Sequence, residues 1–412
     1  MATSTNVRRH TRGVHRTVSA LLALATVAAA ACGAAAHGTS AAAKRAPAQA
    51  QPAPRATPSP SPAPRRVRSP ATHATPAPSP AAVRHAPRAA APRAEEPLEG
   101  FGSATKGGAG GREVWVTEAS VERLRDAIHD INETGDAVLR FDVATPIMIT
   151  RPLPYFTAPH VTIDGHGATL DGSALTHDVA LLDIRTHDVI VRNLRVRNGY
   201  DNLRAQGPDA HDIVFTHVSS TGARDDGLSV AYEAHDVTAQ YLFLAGNTRS
   251  IFCKEGGTNL SVHHSWIQKG WIRNPIVSGP ARADVRNVIV EDWGEWGARF
   301  ENGATGNVVG SLFSLSDYAR QRGGKADSAL RAISGASVYL AGNVFRGARP
   351  PNFRGAPNPF AAAPITTAPV EQMEERVRAA AGCLPRDAID DRYIGLRAGW
   401  EVGRETPLRL DD

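Results

Sequence analysis

Acidic and basic side chains recur at a fixed interval in the middle of the chain. Asp201 and Asp225 are 24 residues apart with Asp226 beside the second, and Arg249 and Arg273 follow at the same interval. Carboxylates that converge on one face supply the hard oxygen ligands that Ca²⁺ prefers. A guanidinium group binds a carboxylate through two parallel hydrogen bonds. These residues could therefore form a cation site beside a site for acidic groups, unless each Asp only caps a turn.

A repeat in the same region indicates how these side chains are positioned. Each unit has a polar pair, a short alternating strand, a turn and a second short strand. The units are separated by 24, 24, 23, 28, 20 and 30 residues and begin at His187, His211, His235, Thr258, Arg286, Gly306 and Ala336. One unit cannot bury its own apolar face, so the units must stack. The sequence predicts an all-β, right-handed parallel β-helix, a solenoid, over residues 99–349.

Segments on either side of the repeat are predicted to cover its ends. Before it, Val121, Leu124, Ile128 and Ile131 fall on one face of a short helix that Ser120 would cap. After it, residues 350–412 form a Pro-rich tail whose one amphipathic helix, residues 370–381, packs on the solenoid. Such covers are expected because bare strand edges invite aggregation.

The first 98 residues are predicted to be an export signal and a tether. Residues 1–32 combine a basic start, an apolar run and small residues before Cys32, as signal peptides do. Cys32 is either the lipid-modified first residue of a bacterial lipoprotein or the neighbour of an ordinary cleavage site. Residues 33–98 are mostly Ala, Pro, Arg, Ser and Thr, and burial cannot offset the entropy of ordering them. We therefore expect a secreted or surface-anchored bacterial protein.

Charge is divided unevenly along the chain. Residues 1–98 hold 13 of the 46 basic residues and 2 of the 41 acidic ones, which leaves 33 basic and 39 acidic residues in the remainder. The basic tether could lie along an anionic cell-wall polymer or act only as a solvated spacer. The acidic remainder argues against a nucleic-acid partner, and we expect a monomer. Cys253 and Cys383 do not organise the fold, and the sequence leaves their pairing open.

Ten short motifs follow one another along residues 99–400. They are Gly100-Phe-Gly, Gly107-Gly-Ala-Gly-Gly, Leu124-Arg-Asp-Ala-Ile, Val161-Thr-Ile-Asp-Gly, His187-Asp-Val-Ile-Val-Arg-Asn-Leu-Arg-Val-Arg, Asp225-Asp-Gly-Leu-Ser-Val, His263-His-Ser-Trp-Ile, Arg273-Asn-Pro, Pro364-Ile-Thr-Thr and Leu384-Pro-Arg-Asp-Ala. In this order and spacing they resemble bacterial pectate lyases of polysaccharide lyase family 1. The resemblance implies calcium-assisted β-elimination of α-1,4-linked galacturonate polymers such as pectate and pectin.

The resemblance also implies roles for the recurring acids and arginines. Asp201 and Asp225, with Asp226 beside them, match the calcium-binding acids of the family. Arg273 matches the arginine assigned as the base that removes the proton next to the uronate carboxylate. A guanidinium group is ordinarily always charged, so Arg273 could instead anchor a substrate carboxylate. Arg249 lies where the family carries a lysine that contacts the uronate, although a surface-turn arginine is the alternative.

The chain departs from the family pattern at three positions. Ser229 and Ala231 stand where a further acid and a lysine are expected, and Ser278 replaces a second arginine. Calcium binding is therefore expected to be weaker, or to need a substrate carboxylate to complete it. Arg299, one coil further on, could compensate for Ser278.

Four further residues are predicted to bind substrate, namely Lys254, Lys269, Arg299 and Trp271. The cations would extend the row of carboxylate contacts, and the indole could stack on a sugar ring, although packing in the wall explains it equally well. His263 and His264 are neighbours in a strand, so we expect their side chains to point to opposite faces.

Two other functions compete with the lyase interpretation. Asp225 and Asp226 resemble the paired carboxylates of polygalacturonases. Those hydrolases also need a Gly-His-Gly after the acids, whereas residues 165–167 precede them. The second competitor is a non-catalytic surface binder of polysaccharide, favoured by the tether and by the charges missing at Ser229 and Ala231.

Overall fold

The computed structural model describes residues 96–395. The predicted signal peptide with Cys32, nearly all of the predicted tether and residues 396–412 lie outside the described residues. No helix within residues 96–395 is both long enough and apolar enough to cross a membrane.

Twenty-four short strands are distributed along residues 112–346 of the described chain. Four α-helices accompany them: α1 (Val121–Thr134), α2 (Asp317–Gln321), α3 (Val370–Ala380) and α4 (Ala388–Gly395). The first twelve strands are β1 (Arg112–Val116), β2 (Ala137–Phe141), β3 (Ile147–Met148), β4 (Val161–Asp164), β5 (Thr169–Asp171), β6 (Ala180–Ile184), β7 (Val189–Arg197), β8 (Asp201–Gln206), β9 (Ile213–Thr221), β10 (Asp226–Ala231), β11 (Val237–Gln240) and β12 (Phe243–Ala245). The others are β13 (Arg249–Cys253), β14 (Leu260–His263), β15 (Trp266–Gln268), β16 (Ile276–Ser278), β17 (Arg282–Arg286), β18 (Ile289–Glu291), β19 (Ala298–Glu301), β20 (Thr305–Val309), β21 (Leu312–Ser314), β22 (Leu330–Ala332), β23 (Ser337–Ala341) and β24 (Val344–Arg346).

The strands pair in parallel with the strands of the coils before and after them. One sheet has seven strands in the order β22, β19, β16, β13, β10, β8 and β6, and we call it the short sheet. The other seventeen strands form the long sheet, in which the long strands β7 and β9 each pair along two successive segments. This topology confirms the all-β parallel solenoid expected from the sequence.

The backbone register corrects part of the repeat. Val237, Leu260, Ala283 and Gly306 are successive partners in the long sheet, so these coils are each 23 residues long rather than 28 or 20. The unit assigned to Arg286 actually leads into β18, the second strand of its coil. The unit at Gly306 is shifted by two residues, which preserves the inward and outward alternation. Hydrophobic pattern alone therefore could not detect this shift.

Alternation along the strands builds the interior. Inward residues of successive coils stack on one another, and Ile213, Val237 and Leu260 are fully buried. The polar pairs before them turn the chain, because Asp188 and Asp212 adopt left-handed backbone conformations, with φ of 55° and 51°. Asp and Asn tolerate this conformation better than most residues.

Helices cover the solenoid at one end and along one side. Ser120 caps α1 by accepting a hydrogen bond from the backbone of Arg123, and α1 buries Leu124, Ile128 and Ile131. The described part of the tail has two helices, α3 and α4, rather than the one expected. In the loop before α4 and in α4 itself, Asp387 and Asp390 accept hydrogen bonds from the buried Arg197, at 2.7 and 2.8 Å. Cys253 and Cys383 are both buried free thiols.

Candidate active site on the short sheet

Three carboxylates converge at the start of the short-sheet strands. Asp201 begins β8, Asp226 begins β10, and Asp225 precedes it. One ligand oxygen from each lies within 4.8 Å of the others. They meet because Asp201 Oδ1 accepts a hydrogen bond from the backbone N–H of Asp226, at 3.0 Å. Stacking of coils has therefore brought together the acids that the sequence placed 24 residues apart.

Each carboxylate is paired with an arginine. Arg273 Nη1 donates to both oxygens of Asp226, at 3.0 and 2.9 Å. Arg249 forms an ion pair with Asp225, and Arg204 forms one with Asp201. The arginine side chains keep 18 to 33% of their surface exposed, so a ligand can reach them. We call these three carboxylates and three guanidinium groups the Asp/Arg cluster.

Burial and the neighbouring positive charges shift the pKa values of the acids of the cluster in opposite directions. Burial raises the pKa of Asp226 well above its usual value, and the charge of Arg273 opposes that shift. Burial also raises the pKa of Asp201, against the charge of Arg204. Burial lowers the pKa of Arg249, but its hydrogen bond to Asp225 and the charge of that acid outweigh the effect and raise it. Arg249 is therefore a fixed cation and a poor base.

The donor set of the cluster suits a calcium ion. Oxygens on opposite sides of a calcium ion lie about 5 Å apart, because each bond is roughly 2.3 to 2.6 Å long. The three carboxylate oxygens lie within 4.8 Å of one another, which is close enough for a single ion to reach all three. Three arginines already balance the three carboxylates, however, so a cation must displace at least one guanidinium group. Asp201, Asp225 and Asp226 therefore fit Ca²⁺ best when a further anion takes up the displaced arginine.

An apolar patch replaces the charges that are missing at Ser229 and Ala231. Ala231, Phe252 and Ile276 form a small buried cluster on the outer face of the short sheet. Two cationic side chains lie over the ring of Phe252. Arg273 Cζ is 4.6 Å and Lys254 Nζ is 5.2 Å from the ring centroid. The ring thus holds Lys254 near Arg273.

Arg204 lies beside the position of the missing acid. It is the direct strand partner of Ser229, so the two side chains share one face. Its guanidinium group turns to Asp201, three residues earlier, at an Nε–Oδ2 distance of 2.9 Å. The cluster thus has a third arginine where the family pattern calls for an additional carboxylate.

Arg299 and Trp271 occupy different environments. Arg299 is the strand partner of Ile276 and continues the outward row of the short sheet, where it pairs with Glu301 and lies over Trp296. Trp271 packs against the core with its ring close to Gly294. This contact supports the wall-packing alternative for Trp271.

Lys269 does not belong to the candidate site. It follows β15 in the long sheet and is 3% exposed. Its Nζ donates to Gln268 Oε1 and to the backbone oxygen of Tyr393, both at 2.7 Å. Burial lowers its pKa to about 8. The sequence could not show this, because Tyr393 lies in α4, more than a hundred residues away.

Replacing Lys269 by methionine is expected to lower stability and to leave ligand binding by the short sheet unchanged. The substitution leaves the Gln268 and Tyr393 oxygens without their donor, which costs about 1–3 kcal/mol. Denaturant unfolding and binding of a polyuronate would measure the two effects. Lys254→Met is the matched control, since it should weaken binding with little loss of stability. Weaker binding by Lys269→Met would contradict this assignment.

Sequence reasoning missed three members of the site. Arg204 and Phe252 were missed because neither matches a family position. Tyr200 was also missed, and its side chain contacts Asp225, whose negative charge raises the pKa of the phenol. The spacing of the repeat could have found Arg204 and Phe252, because they flank Ser229 in one row across the sheet.

Several solved structures that share this fold are pectate lyases. A Bacillus subtilis pectate lyase variant matches 71% of this chain and 98% of its own, with a TM-score of 0.56 and 13% identity. Jun a 1, the major allergen of cedar pollen, matches 69% of this chain and 92% of its own, with a TM-score of 0.57 and 16% identity. A Bacillus pectate lyase in complex with trigalacturonate has a TM-score of 0.54, 14% identity, and coverage of 69% and 98%. These likenesses establish a pectate lyase-like parallel β-helix fold.

Curated relatives share sequence with about half of the chain. A probable pectate lyase C of Aspergillus terreus is 27% identical over 228 residues, 52% of this chain and 52% of its own length. Its counterpart in Emericella nidulans is 29% identical over 229 residues, 52% of this chain and 51% of its own. The chain thus spans about half the length of the curated relatives it matches, and these relatives confirm the resemblance to pectate lyases. They are fungal, so they do not support the expected bacterial origin. No protein-family model matches the chain.

Proposed function

We propose that this protein is a polysaccharide lyase that cleaves polygalacturonate or a related uronate polymer by β-elimination. The observation that carries the proposal is the Asp/Arg cluster, which places three acids and three partly exposed guanidinium groups on the outer face of a pectate lyase-like solenoid. One structural neighbour is a complex with trigalacturonate and another is bound to a hexasaccharide. A polyuronate is the acidic ligand that these likenesses favour.

The arginines have the chemistry to bind and polarise a uronate. When a uronate carboxylate enters, it can take up the hydrogen bonds that Arg249 and Arg273 now give to Asp225 and Asp226. Fixed positive charge then stabilises the negative charge that develops when the neighbouring proton leaves. Arg273 is our candidate for the residue at the reacting carbon, as base or as carboxylate anchor. Lys254, held on Phe252, and Arg299 would bind flanking carboxylates.

Calcium is proposed as the cofactor. Asp201, Asp225 and Asp226 would hold it, and a substrate carboxylate would complete the ligand set. Bound Ca²⁺ would neutralise that carboxylate and increase the acidity of the adjacent C–H bond. The role of the chain is to keep three carboxylates close together and to exchange their arginine partners for substrate.

An elimination assay tests the proposal. Purified protein is incubated with polygalacturonate, methylated pectin and a second polyuronate, each with calcium and with a chelator. The unsaturated product absorbs in the ultraviolet, whereas hydrolysis yields reducing ends without that absorbance. Calcium-stimulated absorbance is the expected result. Reducing ends without ultraviolet absorbance would favour the hydrolase. Binding without turnover would favour a non-catalytic binder. The observation that supports such a binder is that each acid of the Asp/Arg cluster is paired with an arginine.

We also propose that the protein acts outside the cell as a monomer. An extended uronate polymer is an extracellular substrate, and the sequence of residues 1–32 has the pattern of an export signal. Cys32 would be a lipid anchor if it is modified after cleavage. Mass spectrometry of the mature N-terminus distinguishes a lipid-modified Cys32 from an ordinary cleavage product.

A further inference from the structure

A second group of metal-binding side chains lies on the long sheet. Glu99, His263 and His264 each present one ligand atom, and the three atoms lie within 4.8 Å of one another. The Nδ1 atoms of the two histidines are only 2.8 Å apart. The expectation that these histidines point to opposite faces is therefore wrong. His264 follows the end of β14 and adopts a φ of 48°, which turns its ring back towards His263.

We propose that Glu99, His263 and His264 form a transition-metal site, best suited to Zn²⁺. The site would fasten residues 96–104, here called the N-terminal segment, to the solenoid. Two imidazole nitrogens and one carboxylate oxygen are a common zinc donor set, whereas calcium prefers oxygen alone. His263 and His264 belong to the solenoid, and Glu99 belongs to the segment that crosses it. A bound metal would join the two.

Hydrogen bonds already orient the donor atoms. His263 Nε2 lies 3.4 Å from the backbone oxygen of Glu99, which can accept only a hydrogen bond and so favours a proton on Nε2. A backbone carbonyl fixes the tautomer of many metal-binding histidines in this way. The lone pair of His263 Nδ1 then accepts a hydrogen bond from His264 Nδ1–H. A metal between the two Nδ1 atoms would take the place of that proton, which would move to Nε2 of His264 by exchange with solvent. His264 stacks on Tyr241, with ring centroids 5.2 Å apart, which holds the second ring in place.

The local charge and spacing are compatible with a divalent metal. Glu96 and Glu99 carry two negative charges near the site, and Arg376, which pairs with Glu96 at 3.2 Å, carries one positive charge. Burial lowers the pKa of His263 to about 3 and that of His264 to about 4, so both rings are uncharged at neutral pH. In a tetrahedral zinc site two nitrogens lie about 3.3 Å apart, so the rings must separate by roughly 0.5 Å.

Glu99 is well placed to respond to a metal. Its carboxylate accepts hydrogen bonds from Thr366, from the backbone N–H at 2.9 Å and from Oγ1 at 2.6 Å. Its backbone N–H donates to Gln240 in β11. The metal would therefore join a point where the N-terminal segment, the solenoid and the tail already meet. This site is separate from the Asp/Arg cluster and does not depend on the proposed lyase activity.

Zinc content and thermal unfolding of the full chain test the proposal. The protein is stripped with a chelator, dialysed against limiting Zn²⁺ and analysed for bound metal. We expect about one zinc ion per chain and a higher melting temperature. Glu99→Gln and His264→Gln should each weaken zinc binding by about tenfold or more. His217→Gln is the matched control, because His217 stacks on the other face of Tyr241, outside the site, and should bind zinc as the parent does.

Two outcomes would overturn the assignment. The first is the absence of bound zinc from stripped and dialysed parent protein. The second is unchanged binding by Glu99→Gln and His264→Gln, since the half-exposed histidines at His187, His211 and His235 would then account for the metal. Circular dichroism of each variant confirms that it folds. If a glutamine variant unfolds, the exposed histidines decide instead: zinc binding that survives the joint replacement of His187, His211 and His235 by glutamine supports the buried site, and loss of binding overturns the assignment.

Discussion

Replacing Arg273 by alanine is expected to lower the rate of elimination by about 10² to 10⁴-fold. Arg273 lies at the centre of the Asp/Arg cluster, and it is the arginine with contacts to both Asp225 and Asp226. Loss of its guanidinium group removes either the base or the charge that anchors the reacting uronate. The measurement is kcat and KM for polygalacturonate from the ultraviolet absorbance of the product.

Stability must be separated from catalysis in this variant. Alanine leaves the buried carboxylate of Asp226 without its partner, which destabilises the fold. Arg273→Lys keeps the positive charge but loses the planar fork, so it should fold better and still be slow. Arg185→Ala is the matched control, because Arg185 also pairs with an acid of the short sheet, Asp183, but lies outside the cluster. Near-parental kcat in a folded Arg273→Ala variant would refute the role given to Arg273.

Replacing Asp201 by asparagine is expected to raise the calcium concentration for half-maximal activity by about tenfold or more. Calcium affinity depends on the number of charged oxygen ligands, and Asp201 supplies one of three. The substitution also releases Arg204, whose positive charge would repel the ion. The measurement is initial elimination rate against free calcium, with isothermal titration of calcium into protein alone and into protein with oligogalacturonate.

The titration with and without substrate carries additional information. Since three arginines balance the three acids, the protein alone should bind calcium weakly, and oligogalacturonate should strengthen that binding. Asp183→Asn is the control, because it loses a buried acid of the same sheet, one coil before the cluster. An identical calcium response of Asp201→Asn and the parent protein would rule out the proposed calcium site.

The solenoid could be predicted because the features that specify it, strand alternation and turn residues, lie within short stretches of the sequence. Alternation along each strand specifies an inner and an outer face, and Asp or Asn at the turns accepts the left-handed backbone that the corners need. Coils of nearly constant length then place residues about 24 apart at the same point on neighbouring coils. For this reason the sequence alone grouped Asp201, Asp225, Arg249 and Arg273. It misplaced two coil boundaries, because the shift of two residues at Gly306 leaves the alternation intact and the unit at Arg286 marks the second strand of its coil instead of the first.

Only the tertiary structure shows which side chains from distant parts of the chain contact one another. Lys269 matches its neighbours in charge, but the backbone of α4 covers it and removes it from the substrate surface. Arg204 entered the cluster because strand register sets it beside Ser229, and no motif records that pairing. His263 and His264 face one another because the strand ends between them. Spacing along the chain thus determined which side chains share a face, while packing determined which of them a ligand can reach.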